Sequence, residues 1–206
     1  MDARRLACIP MIVLLLALCA CGGGKSEDEL ALEMRLYYLE IESCAGTMAL
    51  TADYGARIYE YTLGFNWTQD GETVLTIEAP EELAGMTARA AAGETYLLFD
   101  EVQLETGPLS ADGLSPMDAL PAILNYIFTG YIAECGTEIL DDVACLRVQY
   151  RAPEADRGSG LEAALWFDKT DYALRRAELQ NDGFTVICAD ITDWSVTAAE
   201  TADEAA

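Results

Sequence analysis

Residues 59–67 constrain the fold most: Tyr59, Tyr61, Leu63, Phe65 and Trp67 alternate with Glu60, Thr62, Gly64 and Asn66. A period of two places all five large side chains on one side of an extended strand. Gln69-Asp70-Gly71-Glu72 follows, a turn with Asp-Gly at its centre, after which Thr73, Leu75 and Ile77 resume the alternation. The two runs predict an antiparallel hairpin. Further short strands are expected near 86–91, 94–99 and 102–105, then near 132–140, 143–151, 161–168, 173–180 and 184–194, separated by turns such as Asp141-Asp142 and Asn181-Asp182-Gly183. Strands that follow one another at even spacing imply an antiparallel meander rather than a parallel sheet.

Two segments break the strand period. Ser26-Glu27-Asp28-Glu29 fits a capping box, a hydroxyl and a carboxylate spaced to satisfy the first free amides of a helix. Leu30, Met34, Tyr37 and Ile41 then fall on one helical face, and the helix is expected to run out near 43–46. Midway along the chain Ser115-Pro116-Met117-Asp118 opens a second helical segment, whose apolar side is Leu120, Ile123, Leu124, Ile127 and Phe128. Pro121 denies it an internal hydrogen bond and predicts a kink or restart, and Gly130 ends it. The fold class is therefore mainly β (α+β): an antiparallel sheet of ten or eleven strands with an N-terminal helix and a helical insertion.

The N-terminus sets where such a domain would fold. Arg4 and Arg5 precede an apolar run over 9–18, and the run ends in Leu18-Cys19-Ala20-Cys21. A basic start, a short apolar segment and a small residue before the cut make a secretion signal. The tetrapeptide resembles a bacterial lipobox, in which a diacylated cysteine becomes the new N-terminus, and Ala20 suits the position before the cut better than Leu18 does. The expected organisation is a signal peptide over 1–20, lipidation of Cys21, a tether over 21–25, one domain over 26–196 and a disordered acidic tail over 197–206. A lipid there would hold the chain on the outer face of the cell membrane.

Composition excludes several function classes. A net charge of −24 repels nucleic acid and anionic headgroups at long range. Histidine is absent, which removes the usual general base, zinc ligand and triad partner. Neither Gly158-Ser159-Gly160 nor Gly113-Leu114-Ser115 makes a nucleophile elbow, and near carboxylate pairs such as Asp141-Asp142 sit in turns. No catalytic residue, metal site or cofactor is expected. Cys44, Cys135, Cys145 and Cys188 have no metal-like spacing; either disulfides in one of three connectivities or buried free thiols fit them.

The order of elements, together with Leu165-Trp166-Phe167-Asp168, Leu174, Glu178-Leu179, Asp182-Gly183-Phe184, Ile187 and Asp190-Ile191, resembles the lipoprotein-carrier superfamily (LolA/LolB-like), over about residues 26–195. That family includes anchored lipid-binding lipoproteins and envelope-stress sensor domains. The resemblance implies a strongly curved, incompletely closed antiparallel half-barrel, plugged by helices and holding acyl chains. No Arg-Pro pair precedes the central aromatic strand, so the family's arginine latch cannot be carried over to any residue here. On this reading Tyr59, Tyr61, Leu63, Phe65, Trp67, Leu75, Ile77, Leu124, Ile127 and Phe128 line a site for a hydrophobic ligand. The same residues also fit an ordinary covered core, in a domain that docks onto an envelope protein partner instead.

Overall fold

The computed structural model describes residues 25–91, 94–99, 102–105 and 114–198. The signal, Cys21 and the tail beyond 198 lie outside the described residues. Helix α1 (Glu27–Glu40) is followed by strands β1 (Ile41–Asp53), β2 (Ile58–Thr68), β3 (Thr73–Ala79), β4 (Thr87–Ala91), β5 (Glu94–Phe99) and β6 (Val102–Glu105). Helix α2 (Ala119–Thr129) then leads into β7 (Ile132–Leu140), β8 (Val143–Tyr150), β9 (Leu161–Asp168), β10 (Leu174–Asn181) and β11 (Phe184–Ala198).

The strands form one antiparallel sheet in the order β6-β5-β4-β3-β2-β1-β11-β10-β9-β8-β7. It is two meanders joined where the first strand pairs with the last, Met48 opposite Ile191 and Leu50 opposite Ala189. The sheet is mainly β architecture left open, since β6 and β7 stand at opposite edges. The chain must therefore travel from one edge to the other between β6 and β7, and α2 lies on that route. Its apolar side requires cover, and the inner face of the sheet supplies it: Ala119, Leu120, Ile123, Leu124 and Ile127 are all buried.

The capping box forms as expected. The Glu29 amide donates to Ser26 Oγ at 3.2 Å, and the Ser26 amide donates to Glu29 Oε2 at 2.9 Å. From α1, Ala31, Met34 and Tyr38 enter the core, with Leu30 and Tyr37 packed at its margin. The Tyr38 hydroxyl donates to the Tyr172 carbonyl at 2.9 Å, and its ring meets Phe167 edge-on at 5.5 Å.

Three boundaries differ from expectation. α1 stops at Glu40, and Ile41 is already extended, at φ −77° and ψ 138°. The alternation of β1 is concealed in the sequence because Cys44, Ala45 and Gly46 are small. Gly46 is small of necessity: a Cβ there would approach Phe65 Cζ to 2.9 Å, beside the register shift between β1 and β11. α2 starts at Ala119, after a turn closed by the Asp118 amide on the Ser115 carbonyl at 3.0 Å. Pro121 is thus its third residue, where an amide has no intrahelical partner, and no restart is needed. β11 continues to Ala198, two positions into the segment expected to be tail.

Candidate functional site

Opposed residues of neighbouring strands share a face, so the register identifies the inner wall strand by strand. One row crosses half the sheet: Phe65 faces Leu75, Leu75 faces Ala88, Ala88 faces Leu97 and Leu97 faces Leu104. A second pair on the same side is Phe99 with Val102. All of these are apolar or small, yet their environments diverge. Phe65, Leu75 and Ala88 are 5%, 1% and 4% exposed, whereas Phe99, Leu104 and Val102 are 43%, 59% and 66% exposed. The inner wall is covered through Ala88 on β4 and bare by β6.

α2 packs at one edge of the covered half. Phe128 meets Trp67 at 5.4 Å between ring centroids, and Leu124 and Ile127 share one core cluster with Leu63, Phe65, Trp67, Leu75 and Ile77. All seven are buried, so a ligand reaches them only by rearranging the core. Tyr61 and Phe128 are half-buried at the cluster's margin. Tyr59 stands outside it, exposed, with its ring 6.0 Å from Tyr54 and its hydroxyl accepting from Arg57 Nη1 at 3.5 Å. The ten residues singled out in the sequence are thus brought together, except Tyr59, but as the buried end of the wall. Phe99, Val102 and Leu104 were not singled out. Their signal was present in the alternation of β5 and β6, but exposure depends on tertiary packing.

α2 is held at its C-terminal end by α1. Arg35 Nε donates to the Ile127 carbonyl at 2.8 Å, and Arg35 Nη2 donates to the Gly130 carbonyl. These are among the last carbonyls of a helix, which lack intrahelical donors and carry the negative end of its dipole. At the other end of the helix, the Tyr54 hydroxyl donates to the Leu114 carbonyl at 2.9 Å. There a cavity of about 450 Å³ opens between Asp53, Tyr54, Gly55, Leu114, Asn181, Phe184 and Val186.

Among the described residues charge stays off the bare wall. Arg89 lies one position from Ala88 on β4, hence on the outer face, and pairs with Glu72. On the outer face of β8 and β9, Arg147 stacks over Trp166 at 5.3 Å, while Trp166 Nε1 donates to Glu138 Oε2 at 2.9 Å. The four described cysteines are free thiols. Burial pushes the Cys44 thiol up to about 12, which makes it inert as a nucleophile. Cys135 is likewise pushed up to about 12, by burial and by the Asp28 carboxylate that its thiol contacts at 3.0 Å. Among the described residues no three acidic or thiol side chains cluster to hold a metal ion, and no helix is long and apolar enough to cross a membrane.

No family model and no curated protein matches this chain. Solved structures do. An uncharacterized conserved protein from Thermus thermophilus superposes with a TM-score of 0.52 at 10% identity, covering 84% of this chain and 90% of that one. A LolA superfamily protein from Nitrosomonas europaea gives 0.42 at 9% identity, covering 85% and 96%. The lipoprotein LppX from Mycobacterium tuberculosis gives 0.45 at 15% identity, covering 82% and 96%. At such identities the likeness is one of fold, and members of the superfamily that the sequence resembles are among the structures to which this chain is similar.

Proposed function

We propose that the protein is a noncatalytic lipoprotein, anchored to a membrane through Cys21, that holds the apolar part of a lipid or an acylated protein on the bare inner wall of β5 and β6. The supporting observation is the row from Phe65 to Leu104, continuous in register and apolar throughout, which passes from full cover to open solvent without acquiring a polar side chain. A sheet face meant for water alternates to polar residues, and an uncovered apolar one marks a binding surface. Binding would come from burial, at about 0.8 kcal/mol for each methylene sequestered, with no covalent step. Longer chains would reach deeper by moving α2 off Trp67, which gives the Arg35 contacts a role in setting capacity.

A second reading is also supported by a specific observation, the near-complete burial of Leu63, Phe65 and Leu75. On that reading the core is permanently filled and the bare wall receives an envelope protein partner. Purified Cys21→Ala protein, which lacks its own acyl groups, distinguishes the two. Organic extracts should contain co-purifying acyl species, and a fluorescent fatty acid should bind. Leu104→Asp should abolish both with its urea midpoint unchanged, because Leu104 is already exposed. Trp67→Asp, a charge placed among buried rings, should fail to fold. Clean extracts and no fatty-acid binding from the Cys21→Ala chain would defeat the lipid reading in favour of the protein-docking one.

A further inference from the structure

α1 presents a second apolar face that none of the described residues covers. Leu32, Leu36 and Leu39 are 56%, 59% and 47% exposed, at the i, i+4, i+7 spacing of one helical stripe. They lie opposite Ala31, Met34 and Tyr38, so the helix is apolar on both sides. Single exposed leucines need no explanation, but three on one stripe form a patch.

We infer that this stripe rests on the lipid surface that carries the protein's own anchor, with α1 lying along the interface. The inference rests on the lipidation of Cys21 proposed above, and chain length is what selects the occupant. Five residues separate Cys21 from Glu27, the first residue of the helix. Fully extended they and their flanking bonds span at most about 20 Å. The stripe begins roughly 8 Å further along the axis and is about 10 Å long. A lipid at Cys21 therefore keeps these leucines within a few nanometres of the bilayer at millimolar effective concentration, so weak burial suffices to hold them down.

Charge selects the kind of surface. Glu29 and Glu40 are exposed near either end of the stripe, and Arg35, the cation nearest it on the helix, is already committed to the carbonyls of α2. The chain as a whole carries −24. An electrically neutral headgroup layer accepts this helix, and an anionic one repels it.

The lipidated full-length chain, reconstituted in phosphatidylcholine vesicles, tests the inference. Leu36→Trp adds an indole on the stripe; Ile58→Trp adds one at an exposed position beside Asp53, at the far end of β1 from α1. Fluorescence is read against the wild-type chain, which holds three tryptophans. Lipids brominated on their acyl chains should quench the added indole of Leu36→Trp at least twofold and leave that of Ile58→Trp unchanged. Replacing half the lipid by phosphatidylglycerol should weaken the quenching. Protein that floats with the vesicles while the indole at position 36 stays unquenched overturns the inference and leaves the anchor standing. Protein that does not float overturns both. An unquenched indole in a chain that sediments as a dimer, and as a monomer once Leu36→Asp is introduced, assigns the stripe to a second copy of the chain and overturns it as well.

Discussion

Replacing Arg35 by methionine keeps the aliphatic stem that packs between α1 and α2 and removes the guanidinium that joins them. Two hydrogen bonds are lost, to the carbonyls of Ile127 and Gly130. Bonds made by a charged group contribute about 1.5–3 kcal/mol each. Both are only partly buried, so water takes over some of the acceptor capacity in the variant, and the expected net loss is about 2–4 kcal/mol. With a urea dependence of about 2 kcal/mol per molar, the unfolding midpoint should fall by roughly 1–2 M. Hydrogen exchange should locate the loss: amides of α2 should exchange faster than those of β1 and β11 by more than the global change accounts for. Arg35→Lys should fall between, since an ammonium cannot fork to two carbonyls. A midpoint for Arg35→Met within about 0.3 M of wild type, with α2 protection unchanged, would refute the claim that this side chain holds the helix against the sheet.

Ser26→Ala removes the hydroxyl half of the capping box and should cost about 0.5–2 kcal/mol, read as a lower urea midpoint, while the apolar contacts of α1 stay in place. Asp168 provides a pH dependence. Burial opposes its charge, but the Thr170 amide and hydroxyl and the Arg175 guanidinium more than offset that and hold its carboxyl below the usual range. A depressed folded value means that its contribution is present above the unfolded value of about 3.9 and is lost as pH falls through the folded one. Arg175→Gln should therefore cost up to about 1 kcal/mol at pH 6, modest because the guanidinium is partly exposed, and the difference from wild type should vanish at the lowest pH. A difference that is constant across the range would assign Arg175 a packing role instead.

The hairpin of β2 and β3, the meander that continues it and the capping of α1 were legible because each rests on neighbours in the chain. Period, turn chemistry and the Ser26–Glu29 spacing are local quantities. The start of β1 was not legible, because small residues carry no visible alternation. Gly46 reads as a weak strand residue until Phe65 is found lying against it. The candidate site divides in the same way. Its chemistry, an apolar inner wall without histidine or clustered acids, could be read directly. Which stretch of that wall a ligand meets could not.

By itself, then, the order of residues determined an antiparallel sheet, two helices and an apolar side to each strand, since these follow from backbone period and side-chain type. The tertiary structure alone decided that α2 packs on Trp67 and that Leu63 and Phe65 are buried while Phe99, Val102 and Leu104 remain bare. It also decided that Arg35 is a clamp. The contacts of α2 depend on the path it takes between the two edges of an open sheet. That path is set by contacts such as Arg35 with Ile127, ninety-two positions apart, which no window along the chain contains.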